Sequence, residues 1–322
     1  MRIIFMGTPD FASGILEELI KAGHVVALAV TQPDKPKGRG GAVQYTPVKE
    51  TAIRHGIEVF QPKRVREPEN IAVLKEKEPE MIVVAAFGQI LPKEILELPK
   101  YGCVNVHASL LPKYRGASPI QWAVLSGEKE SGVTIMRMDE GLDTGDIISQ
   151  ERITLAPDET AGSLFEKLAE LGARLLCETL PHIEDGTAVF TPQDDAAATH
   201  TGKVEKHMGL VDWTKSAEEI ERWIRGLSPW PSAYTGIHGK TLKLWRAEVL
   251  KDTDENGGKQ CDAETAELPG TVLSAKDTLL IKTGDGCLAV TELQLEGKKR
   301  MDAAAFLRGY QVKPGEILGN AV

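Results

Sequence analysis

The first half of the chain alternates short apolar runs with stretches of helical apolar spacing, and few folds absorb that alternation. Arg2–Met6 carries an apolar run that reaches Gly7, after which Phe11, Ile15, Leu16, Leu19 and Ile20 fall on one side of a helix spanning Pro9–Ala22. Further strand candidates lie at Val25–Val30, Ile57–Phe60, Met81–Phe87 and Cys103–Val106, with helical stretches near 47–55, 67–77, 92–98 and 116–126 between several of them. Strands that recur with helices between them imply a mainly parallel sheet covered on both faces. Val133–Met138 and Ile147–Ile153 flank an acidic glycine turn and read as a hairpin added to that sheet. Thr160–Ile183 reads as a long amphipathic helix, with Leu164, Leu168, Leu171, Leu175 and Leu176 on one side.

Between Gly186 and Val211 the apolar pattern fades into Thr, Pro, Gln, Asp, Ala and His, a composition suited to a linker. A chain of 322 residues is long enough for two domains. The expected division is residues 1–187, a linker over 188–206, and a second domain over 207–322. In the second, a helix candidate at Ser216–Arg225 precedes short β-rich runs at Thr241–Leu250, Gly270–Ser274, Thr278–Thr283 and Cys287–Leu295. Short strands after one helix suggest a small closed barrel, an oligonucleotide-binding type being one candidate among several. The fold class expected is therefore α/β, a mainly parallel, doubly covered sheet followed by a small C-terminal β-barrel domain.

With 42% hydrophobic and 26% charged residues, the composition excludes disorder, collagen and coiled coil. The N-terminal apolar run meets Gly7 too soon for a secretory signal, and no stretch reaches the roughly 18 apolar residues of a membrane span. A cytoplasmic protein without a membrane partner is expected. Cys103, Cys177, Cys261 and Cys287 lie far apart with no CxxC, which is neither a zinc pattern nor a disulfide framework, so reduced thiols are expected. The net charge of −9 argues against coating nucleic acid by bulk charge, while leaving room for local basic patches. The acidic stretch Lys251–Glu267 reads as a solvated loop.

Three segments could carry chemistry. The first βα turn, MGTPDFASG, lacks the GxGxxG that gives a dinucleotide pyrophosphate its backbone approach, which counts against nicotinamide chemistry. In GCVNVHASLLPKYRGASPIQ, strand alternation puts Asn105 and His107 on one face and Val104 and Val106 on the other. That pair lies at the C-terminal end of a strand, where ligand crevices form in open α/β sheets. Histidine can pass a proton near neutral pH and an asparagine amide can donate to a developing oxyanion; a structural histidine bonded within the core fits the same pattern. Ser109-Leu110-Leu111-Pro112 then turns the chain beside a small apolar wall. The third segment, MDEGLDTGDI, sets Asp139, Asp143 and Asp146 among glycines but lacks the EF-hand spacing. It reads either as a plain hairpin turn or as a carboxylate presented to orient a histidine.

Taken together, GTPDFA at 7–12, QPDKPKGRG at 32–40, VFQP at 59–62, NVHASLLPKYRGASPIQ at 105–121, GVTIMRMDEGLDTGDI at 132–147 and LSPWPSAYT at 227–235 resemble the methionyl-tRNA formyltransferase family. The NVH…SLLP and GLDTGD elements are shared with the wider family that uses 10-formyltetrahydrofolate, whereas PDKPKGRG and the appended domain point to the tRNA-dependent branch. The resemblance implies an N-terminal Rossmann-like formyltransferase domain, a C-terminal barrel similar to an oligonucleotide-binding fold, and formylation of initiator methionyl-tRNA with 10-formyltetrahydrofolate as donor and no metal. It implies Asn105, His107 and Asp143 as catalytic residues and Ser109, Leu110, Leu111 and Pro112 along the folate site. It also turns Lys35, Lys37 and Arg39, otherwise a solvated basic loop, into tRNA contacts, with Lys240, Lys243, Arg246, Lys298, Lys299 and Arg300 as further candidates. A monomer is expected. Trp122 and Trp230 read as packing residues. The rival readings are a small-amine formyltransferase, an RNA-binding module that has lost activity, and a nicotinamide enzyme.

Overall fold

The computed structural model describes residues 1–37, 42–250 and 267–319, so Arg39, Cys261 and nearly all of the acidic stretch lie outside the described residues. The chain forms two compact units, the first comprising Met1–Ile120, Glu130–Leu155 and Leu164–Gly202, the second Gln121–Lys129, Ala156–Ser163 and Lys203–Val322.

The elements run β1 (Arg2–Gly7), α1 (Asp10–Lys21), β2 (Val25–Val30), β3 (Lys35–Lys37), β4 (Ala42–Gln44), α2 (Pro47–Arg54), β5 (Val59–Phe60), α3 (Pro68–Glu76), β6 (Met81–Ala85), α4 (Lys93–Leu96), β7 (Cys103–His107), β8 (Arg115–Gly116), α5 (Pro119–Leu125), β9 (Glu130–Arg137), β10 (Ile147–Thr154) and α6 (Ala161–Glu184). There follow β11 (His200–Thr201), α7 (Ala217–Gly226), β12 (Ala233–Ile237), β13 (Lys240–Leu250), β14 (Val272–Ala275), β15 (Leu279–Lys282), β16 (Cys287–Leu295), β17 (Met301–Asp302) and α8 (Ala303–Gly309).

The first unit is built on a seven-stranded sheet of order β10-β9-β7-β6-β1-β2-β5. Strands β5, β2, β1, β6 and β7 are parallel, and β9 and β10 are the antiparallel hairpin expected at the edge. Strand order reverses beside β1, where Gly7 is needed: a Cβ there would lie 2.5 Å from the Ala12 Cβ and 2.9 Å from the Ala85 carbonyl oxygen. Close approach of β1, α1 and β6 explains this glycine without any phosphate. One sheet face carries Val106 and Val133, against which α6 packs closely enough that a Cβ on Gly172 would meet Val106 at 2.9 Å. The other face forms a core of Ile4, Met6, Leu28, Val30, Ile82, Val84 and Cys103 under Ile71 and Leu74 of α3. Burying such side chains stabilises the unit by about 1.5–3 kcal/mol each. Helix α2 starts where the local chemistry dictates, with Pro47 in the first turn and the Thr46 hydroxyl accepting from the Lys49 amide at 3.2 Å.

The second unit is a curled antiparallel sheet of order β12-β13-β16-β15-β14, with β17 paired to β16. It is not closed by a continuous ladder. Instead the segment 315–319 bridges the two edges, pairing with Thr271 on one side and Gly236 on the other. Helix α7 is fixed by a reciprocal cap, the Ser216 hydroxyl accepting from the Glu219 amide and the Glu219 carboxylate from the Ser216 amide. Its Ile220 and Ile224 join Leu242, Leu244, Val290 and Leu293 in one core. Strand β12 went unseen in the sequence because its residues, AYTGI, alternate poorly. Trp122 packs against Leu125, Val204 and Leu227, as expected, whereas Trp230 is 53% exposed.

Candidate active site

Asn105 and His107 occupy the C-terminal half of β7, in register with Met136 and Thr134 of β9. Both are buried, at 9% and 6% exposure. Asn105 precedes His107 by two residues on β7, so the two side chains share one face of the strand. His107 is anchored: its Nε2 lies 3.0 Å from the Tyr114 carbonyl oxygen. A carbonyl only accepts, so Nε2 carries the hydrogen and Nδ1 is the nitrogen left to exchange a proton.

Nδ1 faces Asp143, whose Oδ2 is 3.7 Å away, a distance for an ion pair but too long for a hydrogen bond. Asp143 stands in the turn before β10 with φ +55°, and its Oδ2 accepts from the Gly116 amide at 2.8 Å. The GLDTGD turn is therefore more than a connection. It carries a mostly buried carboxylate to the histidine, while Asp139 caps the same turn by accepting from the Thr144 hydroxyl and the Gly141 amide. Among the described residues no group of three His, Cys, Asp or Glu is placed to hold a metal ion.

The Ser109–Pro112 turn follows β7 directly and contains a cis Leu111–Pro112 bond. The Ser109 hydroxyl donates to the Lys113 carbonyl at 2.7 Å. The buried Thr134 hydroxyl donates to the Ser109 carbonyl and accepts from the Leu111 amide, and the Gln150 amide reaches both the Leu111 carbonyl and the same hydroxyl. Thr134 and Gln150 were not legible as site residues, because on strands they look like ordinary polar positions. Cys103 lies in the core, where burial pushes its thiol up to about 12, and it donates toward the Ile95 carbonyl at 3.5 Å. Cys103 and Cys177 are free, but Cys287 is disulfide-bonded, which corrects the expectation of reduced thiols throughout.

Lys35 and Lys37 lie on β3, paired antiparallel with β4, so the basic stretch begins as one arm of a small hairpin. Of the cations on the second unit, Arg300 is engaged by Glu292 through both carboxylate oxygens and lies 4.8 Å from the Trp245 ring centroid. Lys243 sits over the same ring at 5.6 Å. The Glu292 carboxyl is held below its usual range chiefly by its hydrogen bond to Arg300.

A mainly parallel sheet thus carries a buried asparagine and a histidine–carboxylate pair at the C-terminal end of β7, groups whose chemistry suits group transfer. Residues 1–180 match the formyl transferase model and residues 203–311 the model of the formyl transferase C-terminal domain. The chain belongs to the formyl transferase family. It is 58% identical to the methionyl-tRNA formyltransferase of Agathobacter rectalis over 318 residues, 98% of this chain and 99% of that one. It is 53% identical to the methionyl-tRNA formyltransferase of Lachnospira eligens over 321 residues, 99% of this chain and 100% of that one. Among solved structures it is similar to HypX from Aquifex aeolicus in complex with tetrahydrofolic acid, with a TM-score of 0.63 at 20% identity over 98% of this chain and 50% of that one. The methionyl-tRNA formyltransferase from Clostridium thermocellum gives a TM-score of 0.53 at 20% identity, covering 79% of this chain and 95% of that one. These two likenesses speak to the fold.

Proposed function

We propose that this chain transfers the formyl group of 10-formyltetrahydrofolate to the α-amino group of initiator methionyl-tRNA, giving N-formylmethionyl-tRNA for translation initiation. The observation that carries the reading is 58% identity to a methionyl-tRNA formyltransferase over nearly the full length of both chains. In this reading residues 1–187 are the catalytic domain, 207–322 the tRNA-binding domain and 188–206 the link. It goes with a cytoplasmic enzyme acting as a monomer.

The chemistry assigns a role to each residue. The neutral α-amine attacks the formyl carbon, forming the new C–N bond while the carbonyl electron pair moves onto oxygen. Asn105 donates a hydrogen bond to that oxyanion, a contribution of about 3–4 kcal/mol to the transition state. Collapse of the intermediate breaks the bond to N10 of the folate, and N10 takes up the proton that the attacking amine has lost. His107 carries that proton through Nδ1, and Asp143 stabilises the imidazolium formed on the way. The products are the formamide and tetrahydrofolate, and the balance closes with these groups. Ser109, Leu110, Leu111 and Pro112 line the donor site, while Lys35, Lys37 and Arg39 engage the tRNA.

The test offers initiator methionyl-tRNA, elongator methionyl-tRNA and free methionine side by side with labelled 10-formyltetrahydrofolate. Selective transfer to the initiator supports the reading. Folate binding without transfer to any tRNA would redirect it to a formyltransferase of small amines.

A further inference from the structure

His107 and Asp143 belong to different elements and do not bond directly to each other at 3.7 Å. Their separation is set by what holds each one. His107 is anchored on the Tyr114 carbonyl, and Asp143 on the Gly116 amide. Both anchors lie on the short segment 114–116, which is held in turn by residues 193–201. The Tyr114 amide donates to the Thr199 hydroxyl at 2.8 Å, the Arg115 amide to the Thr199 carbonyl at 2.8 Å, and the Ala117 amide to the Thr201 carbonyl at 3.1 Å. β11 pairs in parallel with β8, so tightly that a Cβ on Gly116 would meet the Thr201 carbonyl at 2.6 Å.

Gln193 completes the ring. Its amide nitrogen donates to the Asp143 carbonyl at 2.9 Å and to the Gly145 carbonyl at 2.7 Å, and its amide oxygen accepts from the Arg115 Nε at 3.0 Å. The Arg115 guanidinium is 4% exposed and bonds also to Asp195 at 2.8 Å. Tyr114 at φ +61° and Asp143 at φ +55° both hold left-handed backbone without being glycine, a conformation that persists only where surroundings over-determine it. The surroundings that do so are largely residues 193–201.

We propose that residues 193–201 are a clamp that sets the distance and angle between His107 and Asp143, with Gln193 as its central positioning residue. The inference rests on the proposed role of that pair in formyl transfer. Gln193 touches no reacting atom; it holds the backbone of the carboxylate turn and, through Arg115, the strand that anchors both partners. An aliphatic side chain such as leucine would leave two carbonyls and one guanidinium N–H without the Gln193 partner, and the turn would drift.

The experiment uses the full chain with Gln193→Leu, Thr199→Val and Asp143→Ala. Gln193→Leu is expected to lower kcat about 100-fold, the scale of a misplacement of roughly 1 Å, while KM for both substrates stays within about threefold. In the Asp143→Ala background the same substitution is expected to cost less than about twofold, because the pair is already gone. A loss of kcat below about threefold in the otherwise unchanged protein, or a full second loss in the Asp143→Ala background, would overturn the proposal. A readout independent of turnover is the imidazole 15N spectrum of His107. The unchanged protein should show its neutral form protonated at Nε2, and Thr199→Val should mix the two tautomers as Tyr114 is released. An unaltered spectrum in both Thr199→Val and Gln193→Leu would count against the clamp. A protein that transfers no formyl group but shows the tautomer change would retain the clamp and lose the functional reading.

Discussion

Asp143 Oδ2 accepts from the Gly116 amide at 2.8 Å while standing 3.7 Å from His107 Nδ1, so one carboxylate oxygen is both held by the backbone and turned toward the imidazole. The carboxylate is thereby fixed in place before any substrate arrives. In the proposed reaction, preorganisation of this kind makes charge stabilisation effective, since the carboxylate need not reorient when the imidazole takes up a proton.

Removing the members of the site one at a time should separate their roles. Asn105→Ala is expected to lower kcat by about 10²–10³-fold, the scale of a lost oxyanion donor. His107→Ala is expected to lower it by about 10²–10⁴-fold, the scale of lost general acid–base catalysis. Steady-state kinetics at saturating donor and methionyl-tRNA checks both, and near-normal turnover in either variant removes that residue from the mechanism.

Gly116→Ala tests the backbone that anchors Asp143. At φ +103°, with the Thr201 carbonyl 2.6 Å from the added Cβ, alanine is strained and obstructed at once. A stability loss of about 1–3 kcal/mol is expected in urea unfolding, together with lower kcat in the folded fraction. Unchanged stability would mean that β8 and β11 part without cost.

The buried Cys103 thiol implies a pH dependence. Its folded-state value is raised from 9.0 to about 12 by burial, so the folded protein holds the proton over a range where the unfolded chain has lost it. Stability from this group is complete below pH 9 and declines between pH 9 and 12, with a slope of at most about 1.4 kcal/mol per pH unit. Cys103→Ala should flatten that decline in unfolding experiments at pH 8, 9.5 and 10.5, whatever it costs in packing at neutral pH. Iodoacetamide should leave Cys103 unmodified in the folded protein at pH 8, as mass spectrometry of the digest would show.

Salt should weaken methionyl-tRNA binding despite the acidic net charge. Replacing Lys35 and Lys37 together with alanine should reduce the slope of log affinity against log salt by about 1.4–1.8 if each neutralises one phosphate. Arg300→Ala should change it less, because Glu292 already neutralises that guanidinium. Equal slopes in all three proteins would argue against the basic hairpin as a phosphate contact.

Much of this molecule is determined by local sequence pattern. The period of the apolar residues specified β1, α1, β2, β6 and β7 and the β9–β10 hairpin, and strand alternation put Asn105 and His107 on one face at a strand end. Such patterns are readable because they depend on residues within a turn or two of each other. The closure of the second unit by residues 315–319, the exposure of Trp230 and the disulfide at Cys287 are not of that kind. Nor is the meeting of Gln193 with Asp143, fifty residues apart, in a stretch whose composition reads as solvent-facing linker. A polar side chain reads the same whether it bonds to water or to a buried carbonyl. Only the pairing of β11 with β8 brings the half-buried Gln193 within reach of the Asp143 carbonyl.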